Sequence, residues 1–159
     1  MPSEALFVAV FRFGLSISPN GNHNKRIKID CIELICKAAM ATAGPIVIAG
    51  DFNGPQIEYK DGTIITWGQT KKGNLRARHG TARGVWDQIE RMAFEGLPEF
   101  GLRDVWRDLN PSLIGQSPTW SGRTNEYRLD HVFSNLSAIS ATHEDGLSDH
   151  KMIVVRSAA

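Results

Sequence analysis

The chain is poor in cysteine: Cys31 and Cys36 are the only two among 159 residues, which excludes a disulfide-stapled secreted scaffold. It also lacks any apolar run near the ~20 residues that a membrane-spanning helix requires. Its first apolar stretch, Leu6 to Val10, is short, is soon followed by Arg12, and has neither the basic start nor the small-residue cleavage site of a secretory signal. There is no excess of charge of one sign: 18 basic and 17 acidic side chains leave a net +1. A domain that grips nucleic acid through its overall field is usually far more basic. No internal repeat, low-complexity tract or linker divides the chain. With 42% hydrophobic and 22% charged residues, near the globular average, the expectation is one soluble, cytoplasmic domain over 1–159 with no membrane partner.

The pattern that is present alternates strands and helices. Ala5 to Phe13 is apolar and β-branched or aromatic, as a buried strand is, and ends at the turn-rich Pro19 to Asn22. Asn24 to about Thr42 has helical spacing, with Ile27, Cys31, Leu34, Ile35 and Ala38 on one face and Lys25, Lys28, Glu33 and Lys37 on the other. Ile46 to Ala49 is a continuous apolar run, typical of a strand covered on both faces. Together these predict a right-handed βαβ unit. Residues 54–84 are rich in Gly, Thr, Lys and Arg, with a short strand expected over Thr63 to Trp67. A helix is expected over Thr81 to Glu95, with Val85, Ile89, Met92 and Ala93 on its core face. Further short elements follow at Leu102 to Trp106, Ser117 to Trp120, Tyr127 to Ser134, Ser137 to His143 and Met152 to Arg156. The fold class is α/β: a mixed β-sheet with helices on one face.

Three short segments concentrate chemistry-bearing groups. Gly50-Asp51-Phe52-Asn53 follows a buried strand, where open α/β sheets place their ligands. There an Asp suits a divalent metal or a water, and an Asn suits a phosphoryl oxygen; the same residues also shape an ordinary turn. Arg128-Leu129-Asp130-His131 lies within a strand, and alternation puts Arg128 and Asp130 on one face and Leu129 and His131 on the other. A carboxylate inside an apolar strand needs a partner, either Arg128 or a histidine from elsewhere. Leu147-Ser148-Asp149-His150 precedes the last strand and offers that histidine, although Ser-Asp-His is also a common capped turn.

The order of these segments, GDFN, then RLDH, then SDH, with Pro118-Thr119-Trp120 before the second, resembles the endonuclease/exonuclease/phosphatase superfamily. That superfamily has the DNase I-like fold and includes exonuclease III-type repair nucleases and retroelement endonucleases. The resemblance implies a phosphodiester hydrolase, a nuclease or phosphodiesterase, that uses Mg²⁺. It implies that Asp51 and Asn53 position the attacking water and contact the scissile phosphate, and that Asp130 pairs with His150. It further implies metal ligands in Asp149 and Asp51 and a substrate groove bordered by Trp120, to which we add Arg128. The family's first half, with its metal-binding Glu, has no counterpart here, and the strand over Val10 to Phe13 lacks the family's Asn-x-His. The expectation is therefore half of an α/β/β/α sandwich, a truncated domain with weak Mg²⁺ affinity.

Two functions follow as expectations: a metal-dependent phosphohydrolase acting on nucleic acid or another phosphorylated substrate, or an inactive half-domain that self-associates or binds. In a half-sandwich the helices cover one sheet face, and Ala5, Phe7, Ala9, Phe11 and Phe13 would leave an apolar patch on the other. A two-fold homodimer, sheet against sheet, would bury it. The stretch Lys71, Lys72, Arg76, Arg78 and Arg83, with Trp67 and His79 near it, has no acid between Asp61 and Asp87 and reads as a phosphate-tracking segment or a solvated loop. Cys31, Cys36, Trp86 and Trp106 are expected in the core, and His131 and His143 at the surface or in the sheet.

Overall fold

The computed structural model describes residues 7–10, 22–77 and 82–157. Strand β1 (Phe7–Val10) is followed by helix α1 (Asn22–Ala41) and strand β2 (Ile46–Asp51), which lies parallel to β1 and beside it, the expected βαβ arrangement. Gly44, at φ 108°, lets the chain leave α1 and turn into β2. Strands β3 (Ile57–Glu58) and β4 (Ile64–Ile65) pair as a small hairpin. Helix α2 (Val85–Arg91) continues through a π-helical turn (Met92–Gly96) into α3 (Leu97–Glu99). Strand β5 (Arg103–Asp104) leads into α4 (Val105–Leu109), so the segment read as strand or helical turn is both. Then come β6 (Trp120–Ser121), β7 (Glu126–Tyr127), β8 (Asp130–Ser134), β9 (Ala138–Glu144) and β10 (Met152–Ser157). The main sheet is mixed and four-stranded, in the order β1-β2-β8-β5, with β8 antiparallel to both neighbours.

On one face, α1, α2, the π-turn and α3 enclose a core of Ile29, Ile32, Ile35, Cys36, Phe94 and Leu97 against Ile46, Ile48 and Phe133. The expected face of α1 is corrected here. Leu34 is 69% exposed, Ile27 and Ala38 are also exposed, and Lys28 is buried instead. Apolar residues in α1 form two overlapping stripes. The one that packs is the one that lets Lys28 meet Glu90 on α2. Burial pushes the Cys36 thiol up to about 12, as expected of a core cysteine. Trp86 and Trp106 are core residues as expected.

The opposite face is not bare, and the helices do not all lie on one side. Val105 and Trp106 of α4 and Ala141 of β9 pack on Val132, with Val47, Ala49, Ile153 and Val155 partly buried around them. Ala5, Phe11 and Phe13, on which the apolar patch was expected, lie outside the described residues. Among the described residues, no helix is long and apolar enough to cross a membrane.

His143 of β9 stacks on Trp106, with ring centroids 4.6 Å apart and planes at 17°. Burial, and then the positive charges of Arg128 and Lys151, lower its pKa from 6.5 to about 4. A histidine depressed in the folded state binds fewer protons than in the unfolded chain, so folding stability should fall as pH drops from 6.5 towards 4. Urea midpoints measured across that window should decline in the native chain and flatten in His143→Gln.

Candidate active site

At the end of β2 the chain turns through Phe52 and Asn53. Phe52 anchors the turn: it is 2% exposed and packs edge-on against Phe133, with its backbone N–H donating to Leu129 O at 2.8 Å. Asn53 takes φ 50°, a left-handed conformation that Asn adopts more readily than most residues. Its backbone N–H donates to Asp51 Oδ1 (2.7 Å) and its Nδ2 to Asp51 Oδ2 (3.0 Å). Carboxylate and amide thus form one locked unit.

Antiparallel register sets Asp130, the first residue of β8, directly opposite Asp51. Two carboxylates side by side repel each other and need a cation. His150 meets that need when its ring takes up a proton: Nδ1 lies 2.7 Å from Asp130 Oδ2. The loop before β10 is docked by the Pro-Thr-Trp segment. Lys151 N–H donates to Thr119 O (2.6 Å), and Trp120 and His150 form a β-bridge. Thr119 itself is buried, and its hydroxyl accepts from the N–H groups of Leu129 (2.9 Å) and Asp130 (3.1 Å). One threonine therefore aligns both strand ends. The Trp120 indole donates to Asp149 Oδ2 at 2.9 Å, which places Asp149 at the rim.

Burial raises the pKa of Asp51, helped by the charge of Asp130 and opposed by the Asn53 N–H, His150 and Lys28. Burial disfavours the His150 cation, but the hydrogen bond and charge of Asp130, with Asp51 and Asp149 behind it, outweigh that and raise its pKa. The Trp120 hydrogen bond holds the exposed Asp149 carboxyl below its ordinary value.

Asp51, Asn53, Asp130, Asp149 and His150 thus share one sheet edge. Arg128 does not join them. Residues 128 and 129 precede the strand, so alternation does not extend back to Arg128, and its side chain is only 3% exposed. It is clamped between Asp104 (Nη2 to Oδ2, 2.7 Å) and Glu58 (Nε to Oε2, 3.0 Å), over the Trp106 ring. His131 is fully buried on β8, with Nδ1 2.9 Å from the same Asp104 Oδ2. Among the described residues its Nε2 meets two carbonyl oxygens, Gly54 O at 2.8 Å and Arg128 O at 3.2 Å, so it donates and ties down the turn after Asn53.

No protein-family model and no curated protein matches the chain. What the site can do follows from its own atoms. His150 is part-exposed, its Nδ1 is held by Asp130, and among the described residues Nε2 has no protein hydrogen bond, so it can take a proton from water. For Mg²⁺ the site offers the carboxylates of Asp51 and Asp149, with water left to complete a shell. Among the described residues no three His, Cys, Asp or Glu side chains are grouped to hold a metal ion. Asp51 already accepts from Asn53 on both oxygens, and Asp149 accepts from Trp120. A magnesium ion needs near-octahedral oxygen ligation.

Sequence inspection missed Lys28, because the helical pattern put it on the solvent side. Lys28 Nζ donates to Asn53 O (2.7 Å) and pairs with Glu90 (3.2 Å), while the Glu90 carboxylate also accepts from the Trp67 N–H (2.6 Å). Glu58 and Asp104 were missed as well; nothing in their local sequence marks them. Of the basic stretch, Lys71, Lys72 and Arg83 are exposed, and Arg78 and His79 lie outside the described residues. Trp67 packs on Tyr127 (5.6 Å), which stacks on Trp120 (5.8 Å).

Proposed function

We propose that the chain is a phosphodiester hydrolase of the endonuclease/exonuclease/phosphatase type, built as the second half of a DNase I-like sandwich and working in the cytoplasm. The Asp130–His150 pair beside the locked Asp51–Asn53 unit carries this reading. His150 acts as the base for water, and Asp130 fixes its tautomer and stabilises the charged ring. Asp51 orients the water, and the Asn53 amide supports a phosphoryl oxygen. Trp120 borders the groove for nucleic acid or another phosphorylated substrate. Arg128 serves beneath that groove as a positioning residue. Incubation of the full chain with plasmid or bis(4-nitrophenyl) phosphate and Mg²⁺ tests this, with Asp51→Ala as control. Cleavage that survives Asp51→Ala unchanged argues against the site.

Mg²⁺ binding by the chain alone should be weak, through Asp149 and Asp51 with water completing the shell, and none of the steps above runs through the ion. Calorimetry should find no tight, stoichiometric site; a sharp one-to-one isotherm would show that the donor set has been misjudged.

A second reading, an inactive half-domain that self-associates as a homodimer, is favoured by the incomplete burial of Val47, Ala49, Ile153 and Val155 on the second sheet face. Sedimentation at micromolar concentration should then show a dimer; a clean monomer rejects it.

A further inference from the structure

Two consecutive carbonyls of the turn that carries Asn53 are held from beneath by buried side chains. Lys28 Nζ donates to Asn53 O at 2.7 Å, and His131 Nε2 donates to Gly54 O at 2.8 Å. Each donor is backed by a buried carboxylate. Glu90 Oε1 lies 3.2 Å from Lys28 Nζ, and Asp104 Oδ2 lies 2.9 Å from His131 Nδ1. The four groups come from α1, α2, β5 and β8, and none is more than 4% exposed. Phe94 fills the space under Gly54: a Cβ there would stand 3.3 Å from its ring, which lies 4.8 Å from the His131 ring. Taking ionisable groups out of water is costly, and an apolar floor of similar volume often holds a core together as well or better. An apolar floor cannot, however, fix the directions of two carbonyls. Asn53 needs that hold, because its φ of 50° is a conformation that a non-glycine residue seldom keeps unaided.

We infer that Lys28 and His131 are positioning residues that clamp this turn at two points and so fix the Asn53 side-chain amide beside Asp51. The held backbone keeps the Asn53 N–H and Nδ2 on the two oxygens of Asp51. Because Lys28 sits on α1 and His131 on β8, the place of the amide follows the seating of that helix on the sheet. The inference rests on the hydrolase reading only for what the held amide does, which is to support a phosphoryl oxygen. That oxygen gains charge in the transition state, and a donor already aimed at it needs no reorganisation as the charge develops. Loosening the turn should therefore lower kcat more than it raises KM.

Two variants of the full chain each release one point of the clamp. Lys28→Met combined with Glu90→Gln removes the cation without stranding its carboxylate, and keeps an acceptor for the Trp67 N–H. His131→Leu frees Gly54 O, while Arg128 continues to neutralise Asp104. In either variant the Asn53 N–H should exchange with solvent about tenfold faster, while the core amides of Ile32 and Phe133 keep their protection. With bis(4-nitrophenyl) phosphate, kcat should fall about tenfold and KM stay within about twofold. In the native chain the Lys28 ammonium should give a slowly exchanging ¹⁵N signal coupled through its hydrogen bond to the Asn53 carbonyl carbon. An ammonium without that coupling, exchanging like an exposed lysine, overturns the clamp even where neither variant folds. Native Asn53 protection in a folded variant overturns it too, and lost protection with native kcat overturns the positioning role. Faster exchange at Asn53 in a chain that cleaves no phosphodiester supports the clamp and removes the hydrolase reading.

Discussion

Replacing His150 with alanine is expected to lower phosphodiester turnover by about 100-fold or more, the usual worth of a positioned acid–base group. Asp130→Asn should cost less and leave a distinct signature. Asp130 raises the His150 pKa through its hydrogen bond and its charge, against the opposing effect of burial. In the native chain the pH–rate profile should therefore rise through an inflection above that of an ordinary histidine. Asparagine keeps a hydrogen-bonding oxygen but loses the charge, so the inflection should move to lower pH. A profile that loses height without moving would mean that Asp130 does not act through His150. Unchanged turnover in His150→Ala would remove the histidine from the reaction.

Arg128→Met should produce the largest loss of stability. Its guanidinium is 3% exposed and lies between carboxylates 6% and 4% exposed, those of Glu58 and Asp104. Removing the cation leaves both carboxylates buried without it, which costs about 3–5 kcal/mol. That is a large share of the ~5–15 kcal/mol that holds a typical domain together. Chemical denaturation should report the loss directly. Arg128→Lys should not restore it, because a point charge cannot span two carboxylates as a fork does. Burial alone would raise the Asp104 carboxyl, but the Arg128 charge and the His131 hydrogen bond hold it well below the ordinary carboxylate range. The stability it contributes is complete above its unfolded value of about 3.9 and is lost as pH falls towards the lower folded one. A native-like denaturation midpoint for Arg128→Met would show that the cluster is dispensable.

The sequence by itself determined the βαβ start, the strand ending in Asp51 and the helix over the middle of the chain, because hydrophobic periodicity and Gly or Pro punctuation are local properties. It also marked Asp51, Asn53, Asp130, Asp149 and His150, since short polar clusters at strand ends stand out against apolar runs. Only the tertiary structure decided that Asp130 meets His150 rather than Arg128, because that choice depends on where the strand begins and on Thr119 docking two loops. It alone turned α1 so that Lys28 is buried beneath Asn53. Glu58, Asp104 and His131 could not be assigned in advance. Each becomes a buried ionic or hydrogen-bonded partner through contacts with residues far away in the chain, and a polar residue's burial is set by the partner it finds rather than by its neighbours in sequence.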